Sequence, residues 1–330
     1  MSNLSEAVMR VMESKWVVIL FVVLGLSMIS TVQVQAAYPE KPITLVVPFE
    51  AGGGVDGFAR ALASRMEKEL GVPVVVNNEK GSGGRRGSIA LFKSAPDGYT
   101  IGFPHIATLI YDDTLGETKS PVDYSKYAVI LRVDTATFFM YVNKKQPFKS
   151  VKDMKGAAEP LKFASTGIGT PSWIIPSAVG AAVGFKSTFV SGHKNLPEAA
   201  LSVARGDVVG ATGSYTHIRG VMDDIRPLVY MSEKKSFHLP DVPTVSELGF
   251  GKLSTLGVPW VMVAPPGTPE EKVEKIRGVL RKIIQQEEFK KWALENGYEP
   301  DTMPPDLFWK KMGELKEVYL SLKPQIQEKK

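Results

Sequence analysis

One stretch of the chain, residues 43–71, decides how the rest is expected to fold: ITLVVPFEAGGGVDGFARALASRMEKELG. Its first seven residues form an apolar run typical of a strand, and the glycines at 52–54 follow it as a loop. Apolar residues then recur every three or four positions up to Leu70, which predicts an amphipathic helix that Gly71 ends. The stretch is therefore predicted to be a strand, a glycine loop and a helix, in that order.

The same order recurs along the chain. Further strands are predicted at residues 72–76, 99–103, 128–133, 138–142, 161–164, 208–211, 225–231 and 259–264. Further helices are predicted at residues 88–94, 172–183, 197–205, 269–286 and 304–322. Strands that alternate with helices indicate parallel sheets covered on both faces, and the alternation restarts after residue 142. The chain is therefore predicted to be an α/β protein with two lobes.

The first 36 residues differ from the rest. Arg10 and Lys15 precede an apolar stretch at 16–32, and small residues at Val34 and Ala36 suit a signal peptidase. Residues 1–36 are therefore predicted to be a signal peptide cleaved after Ala36. An uncleaved membrane anchor is the alternative, because an apolar stretch of about 17 residues is at the lower limit for spanning a bilayer.

Composition argues against most enzymes. The chain has no cysteine, which rules out disulfides, thiolate metal sites and a cysteine nucleophile. Its four histidines, at 105, 193, 217 and 238, share no metal-ligand spacing, and neither a GxSxG elbow nor a P-loop is present. The net charge of +5 is spread among interspersed acidic and basic residues, which does not indicate nucleic-acid binding. No metal, cofactor or catalytic residue is predicted.

Glycine-rich loops that follow strands and open helices are the remaining candidates for function. Residues 52–54 and 81–87 are such loops in the first half, and residues 166–170 and 210–214 add hydroxyl groups in the second. Glycine lets a ligand approach the backbone, while the free N–H groups and the dipole of a helix start favour an anion. The loops are therefore predicted to bind a carboxylate, although each could also be only a tight turn.

Several short segments stand out along the chain, in this order: YPEKPI at 38–43, VPF at 47–49, GGGVD at 52–56, AR at 59–60, GVPVVVN at 71–77, GSGG at 81–84, APDGYT at 95–100, LPDVPTVSE at 239–247 and APPGTP at 264–269. In these segments the chain resembles the Bug/TctC receptors of tripartite tricarboxylate transporters. The likeness extends, in order, over nearly the whole chain after residue 36.

The resemblance implies a type II periplasmic-binding-protein fold, in which two α/β lobes enclose a ligand cleft bridged by crossing strands. The expected domains are residues 37–139 with 258–330 and residues 140–257. The resemblance also implies a receptor that binds a small organic acid and delivers it to membrane permease subunits. With the predicted signal peptide, the chain is expected to be exported to the periplasm, and it is expected to be a monomer.

Specific residues are expected to line the cleft. The predicted ligand-binding set is Gly52, Gly53, Gly54, Val55, Gly83, Gly84, Arg85, His105, Thr108, Thr166, Gly169, Thr170, Thr212 and Ser214. Arg85 stands where the family generally has asparagine, so Arg85 or the neighbouring Arg86 could clamp a carboxylate, or both could be solvated surface residues. Asp56 is expected to cap a helix, since a carboxylate facing an anion would repel it.

Aromatic residues leave the ligand class open. Trp173, Tyr215 and Trp260 could offer surface to an aromatic acid or could belong to the core. The ligand is therefore expected to be a mono-, di- or tricarboxylate or an aromatic carboxylate. Two other functions stay open: an exported enzyme acting on a carboxylated substrate, and a receptor that reports its ligand to a membrane sensor.

Overall fold

The computed structural model describes residues 5, 7–10, 38–116 and 118–327. Residues 5 and 7–10 are helical, whereas the rest of the predicted signal peptide and its cleavage site after Ala36 lie outside the described residues. Both sheets of the protein belong to a compact unit that begins at Lys41. Across the described ranges, no helix has the length and apolar character needed to cross a membrane.

Ten strands and nine helices account for most of the unit that begins at Lys41, counted over its described residues. The strands are β1 Ile43–Val47, β2 Val74–Asn78, β3 Thr100–Gly102, β4 Ala128–Ala136, β5 Phe139–Asn143, β6 Leu161–Ala164, β7 Ser187–Val190, β8 Gly210–Gly213, β9 Ile225–Tyr230 and β10 Val258–Ala264. The helices are α1 Gly54–Leu70, α2 Arg85–Phe92, α3 Ile106–Thr114, α4 Pro171–Val183, α5 Leu196–Arg205, α6 Tyr215–Ile218, α7 Glu270–Gln285, α8 Glu287–Glu295 and α9 Pro305–Gln327.

The first sheet has the strand order β2-β1-β3-β10-β4. Strands β2 and β3 run parallel to β1, and β10 runs antiparallel to both β3 and β4. Helix α1 packs on β1 and β2, whereas α7 and α9 pack on β4. Phe58, Leu62 and Met66 lie on one face of α1 and are fully buried, as the apolar spacing predicts. We call this sheet and its helices the first lobe.

The second sheet has the strand order β7-β6-β8-β5-β9. Strand β6 is parallel to β7 and β8, and β5 is antiparallel to β8 and β9. Helix α4 packs on β6, β7 and β8, and α5 packs on β5, β6 and β8. We call this sheet and its helices the second lobe.

The predicted α/β class with two lobes is confirmed, but the sheets are mixed rather than wholly parallel. The parallel pairs are joined by helices as expected, whereas β4, β5, β9 and β10 pair antiparallel where the chain passes between the lobes. Four elements were not predicted: α3, β7, α6 and α8. Strand β8 spans 210–213 instead of the predicted 208–211, because glycines at its ends were taken to mark a loop.

The chain passes from the first sheet to the second at residues 137–138 and returns between β9 and β10. Asp134, near the end of β4, lines a small cavity of about 20 Å³ at this crossing, together with Tyr230, Tyr298 and Glu299. The Asp134 side chain is only 2% exposed. Burial raises its pKa to about 7; the nearby Glu299 and Asp301 add to the rise, and a hydrogen bond from the Thr135 amide opposes it.

Replacing Asp134 should therefore change how stability depends on pH. Because the folded-state pKa is raised above its usual value of 3.8, the stabilising contribution is complete below that value and is lost as pH rises through about 7. We expect Asp134→Asn to gain stability relative to the wild type as pH rises from about 4 to about 7, by up to about 4 kcal/mol, and to keep that gain at higher pH. Chemical unfolding at several pH values measures the difference.

The exposed Asp241 provides the control, since Asp241→Asn should follow the wild-type pH profile at every point. If the free energies of unfolding of Asp134→Asn and the wild type differ by a constant amount across this pH range, the carboxyl group is not protonated in the folded state near neutrality.

Candidate functional site

A cleft of about 560 Å³ is lined by residues of both lobes. The first lobe contributes residues 48–55, 80–84, 86 and 103–105. The second lobe contributes residues 166, 170–171, 194–197 and 217. Phe138 and residues 258–260 line the part where the chain passes between the lobes. The cleft therefore lies at the carboxyl ends of β1, β3 and β6, where open α/β sheets usually bind ligands.

Nine of the fourteen predicted site residues line this cleft. They are Gly52, Gly53, Gly54, Val55, Gly83, Gly84, His105, Thr166 and Thr170. The structure thus brings together the two glycine loops of the first lobe and one of the two predicted loops of the second.

The first glycine loop is held in shape by Asp56. Its carboxylate accepts hydrogen bonds from the amide of Gly52 at 2.8 Å, from Arg60 Nε at 2.9 Å and from Asn78 Nδ2 at 2.9 Å. Burial alone would raise the pKa of Asp56, but these hydrogen bonds outweigh it and hold the pKa below its usual value. Asp56 is not the N-cap residue, a position that Gly53 occupies, so the predicted cap is instead an acid in the first turn of α1.

The next amides of this loop are open to the cleft. The backbone N–H groups of Gly53, Gly54 and Val55 donate to no acceptor within the described part of the chain. They stand at the start of α1, a helix of 17 residues whose dipole places partial positive charge at this end. The arrangement is suited to hold an anion.

The second glycine loop offers a similar group of amides. Gly84 and Arg86 both donate to the carbonyl of Gly81, whereas the N–H groups of Gly81, Ser82 and Gly83 find no acceptor among the described residues. Gly84 has a φ of +89°, and a Cβ there would lie 3.0 Å from Cβ of His105. Only glycine therefore lets this loop pack on the imidazole below it.

His105 lies under the second loop in a fixed tautomer. Its Nδ1 is 2.9 Å from the carbonyl oxygen of Gly83 and 2.7 Å from Oγ1 of Thr108. A carbonyl oxygen can only accept, so Nδ1 carries the proton and Nε2 presents a lone pair. Burial, the largest cause, and the nearby Arg85 lower the pKa of His105 to about 4 against the opposing Gly83 hydrogen bond, so the ring is neutral near pH 7.

Hydroxyl groups of the second lobe are linked to one another. Thr170 Oγ1 donates to the carbonyl of Gly167 at 2.7 Å and accepts from Thr166 Oγ1 at 3.2 Å. The amide of Thr166 donates to Oγ of Ser172 at 3.0 Å. This network fixes the wall that Thr166 and Thr170 present to the cleft.

The predicted role of Arg85 as a carboxylate clamp is not supported by its position. Its guanidinium binds Asp112 on α3, with Nε 2.8 Å from Oδ2 and Nη2 2.6 Å from Oδ1. Arg85 does not line the cleft, whereas Arg86 does. Arg86 is 72% exposed and lies 3.7 Å from Glu79, so its guanidinium is the less constrained of the two.

Four other predicted residues also lie outside the cleft lining. Thr108 is fully buried and positions His105, and Thr212 is fully buried within β8. Gly169 packs on the first lobe, since a Cβ there would lie 2.4 Å from the ring of Tyr111. Ser214 bonds His217, with Oγ 2.8 Å from Nδ1, beside the small cavity at the crossing.

His217 lines the cleft but was not among the predicted residues. Its Nδ1 accepts a hydrogen bond from the amide of Ser214 at 3.1 Å, so the proton of the neutral ring is on Nε2. Burial lowers the pKa of His217 to about 4. Nε2 lies 3.5 Å from the point where a Cβ on Gly54 would be, which places an N–H donor of the second lobe beside the start of α1.

Aromatic residues form much of the remaining lining. Phe49, Phe103 and Phe138 line the cleft together with Trp260 on β10. Trp260 is 6% exposed and packs edge-on against Phe58, with 5.4 Å between ring centroids. It therefore serves both as core and as a cleft wall, two roles that the sequence left as alternatives.

Positive charges are found near the cleft but most are paired. Lys80 forms an ion pair with Glu50 at 2.9 Å. Lys194 is exposed and takes part in no ion pair with another described residue. The described residues contain no group of three His, Cys, Asp or Glu side chains placed to hold a metal ion.

Comparison with known proteins identifies the family. The chain matches the tripartite tricarboxylate transporter family receptor over residues 58–308. Protein BugT of Bordetella pertussis is 28% identical over 282 residues, which cover 82% of this chain and 84% of BugT.

Two solved structures share the fold. One, described as a periplasmic transporter, is 25% identical, has a TM-score of 0.75 and covers 89% of this chain and 98% of its own. MatC from Rhodopseudomonas palustris, solved with bound malate, is 21% identical, has a TM-score of 0.73 and covers 86% of this chain and 100% of its own. The resemblance found in the sequence is thus confirmed: the chain belongs to the tripartite tricarboxylate transporter receptor family, whose members are solute-binding receptors and not enzymes.

Proposed function

We propose that this chain is a periplasmic solute-binding protein that captures a small organic acid in the cleft, closes its lobes on it and delivers it to the permease subunits of a tripartite transporter. The observation that carries the proposal is the set of open backbone amides at residues 53–55 and 81–83. An anion placed between the two loops would receive hydrogen bonds that the protein itself leaves unused.

Energetics support a carboxylate at this position. Hydrogen bonds to a charged group contribute about 1.5–3 kcal/mol each, and micromolar affinity requires only about 8 kcal/mol in total. Three or four such bonds, with burial of the ligand against Phe49, Phe138 and Trp260, are enough. MatC, which has the same fold, was solved with malate, a small organic acid.

Contacts between the lobes support capture by closure. A Cβ on Gly54 would lie 3.2 Å from Oγ1 of Thr216, and a Cβ on Gly83 would lie 3.1 Å from Cγ2 of Thr170. Both glycine loops therefore already touch the second lobe across the cleft. An acid seated on them would be covered by the second lobe, and opening about the crossing at 137–138 would release it.

A ligand screen tests the proposal directly. We expect at least one mono-, di- or tricarboxylic or aromatic acid to raise the unfolding midpoint of the purified chain in a concentration-dependent way. The methyl ester of the same acid is the control and should give no shift, because it lacks the negative charge. If the protein unfolds cooperatively and no acid shifts the midpoint, the small-acid proposal is wrong.

The role of the open backbone amides can be tested at Gly53. Its φ of −77° suits proline, and a Cβ there would meet only the Glu50 carbonyl at 3.5 Å, so both proline and alanine fit the backbone. Gly53→Pro removes one open N–H and should lower affinity about tenfold or more. Gly53→Ala keeps that N–H and should stay within about threefold of the wild type by calorimetry. Equal affinities for the two variants would place the ligand away from this loop.

Arg85 and Arg86 form a second matched pair. Arg85→Ala leaves the Asp112 carboxylate without its bidentate partner and should lower the free energy of unfolding by about 1–3 kcal/mol while leaving Kd unchanged. Arg86→Ala should leave stability unchanged because the side chain is exposed. A tenfold loss of affinity in Arg85→Ala, with the affinity of Arg86→Ala unchanged, would indicate that Arg85 binds the ligand carboxylate. It would contradict the pairing of Arg85 with Asp112.

Uptake separates transport from sensing, since a ligand receptor for a membrane sensor would use the same cleft. Deletion of the gene should abolish uptake of the acid that the purified protein binds. Normal uptake in the deletion strain, with loss of a transcriptional response to that acid, would favour the sensor.

The remaining parts of the proposal concern the mature protein. We propose that export removes residues 1–36 and that the mature chain is a monomer with domain boundaries at 139/140 and 257/258. The intact mass of protein recovered from the periplasm should correspond to a chain beginning at Ala37. A mass that retains residues 1–36 would indicate the uncleaved anchor instead.

A further inference from the structure

Two neutral imidazoles of opposite hydrogen-bonding polarity reach the cleft from different lobes. His217 belongs to α6 of the second lobe and His105 precedes α3 of the first. Neither ring takes part in an ion pair within the described chain. Their tautomers are fixed by backbone groups that can play only one role in a hydrogen bond.

His217 is a donor toward the cleft. The amide of Ser214 can only donate, so Nδ1 of His217 must accept and Nε2 must carry the proton. The ring is held in place by Ser214 Oγ at 2.8 Å from Nδ1 and by stacking on Phe138 at 6.4 Å between centroids. Because Nε2 lies beside the start of α1, its N–H adds to the amides of residues 53–55 from the opposite lobe.

His105 is an acceptor toward the cleft. Its Nδ1–H is used by the Gly83 carbonyl, and Nε2 forms no hydrogen bond with any described residue. A bare imidazole nitrogen repels a carboxylate oxygen and attracts an O–H or N–H group. The only acidic side chain that lines the cleft in the described structure, Glu50, is paired with Lys80, so nothing there would balance a ligand ammonium group.

We infer that His217 and His105 make the cleft selective for hydroxy acids: His217 Nε2–H binds the carboxylate together with the first glycine loop, and His105 Nε2 accepts the hydroxyl proton. This inference rests on the proposed function and names its substrate class. It also makes His217 the group through which the second lobe senses the ligand's charge, because its donor and the loop amides come from different lobes.

Matched acids that differ by one hydroxyl test the inference on the purified chain. Calorimetry would compare lactate with propionate, malate with succinate and mandelate with phenylacetate. We expect the hydroxy acid to bind at least tenfold more tightly in the pair whose carbon skeleton fits. If acids bind but no pair shows a preference, the inference fails and the proposed function stands; if no acid binds, both fail.

Substitutions distinguish the proposed roles of the two histidines. Asparagine can replace the Nδ1 contact of each ring but not its Nε2, whereas the longer glutamine can place an amide group near the Nε2 position. His105→Asn should make the hydroxy acid and the deoxy acid bind with about equal affinity, without lowering the affinity for the deoxy acid. His217→Asn should weaken both members of a pair equally, by about tenfold. His105→Gln and His217→Gln should each recover part of the lost binding.

Proton uptake on binding tests the protonation state assigned to His217. Binding enthalpies measured at pH 7.5 in buffers of different ionisation enthalpy should agree, because a neutral His217 donates without taking up a proton. Uptake of one proton per acid bound, lost in His217→Gln, would show an imidazolium and overturn the assignment. Equal weakening of both acids by His105→Asn would overturn the role of His105.

Discussion

The buried carboxylate of Asp56 is the interaction on which the binding seat depends. It accepts a hydrogen bond from the Gly52 amide and another from Asn78, which links α1 to the end of β2. Arg60 balances its charge. The loop after β1 is thereby folded so that the following three amides donate to no acceptor among the described residues. An acid in the first turn of a helix is stabilised by the same dipole that favours a bound anion, so Arg60 is needed to limit repulsion between the two.

Closure and binding depend on the same missing side chains. At Gly54 and Gly83 the absence of a Cβ exposes backbone amides and also lets the second lobe approach. Gly169 completes the pattern from the other side, because its bare Cα allows the ring of Tyr111 to pack against it. Side chains at these positions would hold the lobes apart, so the glycines that looked like ligand contacts in the sequence act equally as contact points between lobes.

Features determined by local sequence could be predicted, and features determined by tertiary contacts could not. The order of strand, glycine loop and helix is local, so the two first-lobe loops were located correctly. The partner of Arg85, Asp112, is 27 residues away on a helix that was not predicted. The sequence therefore could not distinguish a paired Arg85 from a solvated one. Thr212 was placed in a loop because Gly210 and Gly213 flank it, yet Gly210 is needed inside the sheet, where a Cβ would lie 2.4 Å from the Tyr141 carbonyl. His217 gave no signal because its role depends on Ser214 and on the position of Gly54.

The walls of the cleft bind charge mainly through neutral groups. Among the cations that line the cleft, Lys80 is paired with Glu50, Arg86 is exposed and lies near Glu79, and Lys194 is exposed without an ion pair to another described residue. Burial keeps both cleft histidines uncharged. An anion in this cleft is therefore stabilised by amide and imidazole dipoles, which are already oriented and do not need to be stripped of a full hydration shell as a cation would. Dipoles also act over short distances, so the contribution of His217 disappears once the second lobe moves away. A carrier that must release its ligand to another protein benefits from this, because opening alone removes part of the attraction, whereas a buried salt bridge within one lobe would keep the ligand bound after the lobes had separated.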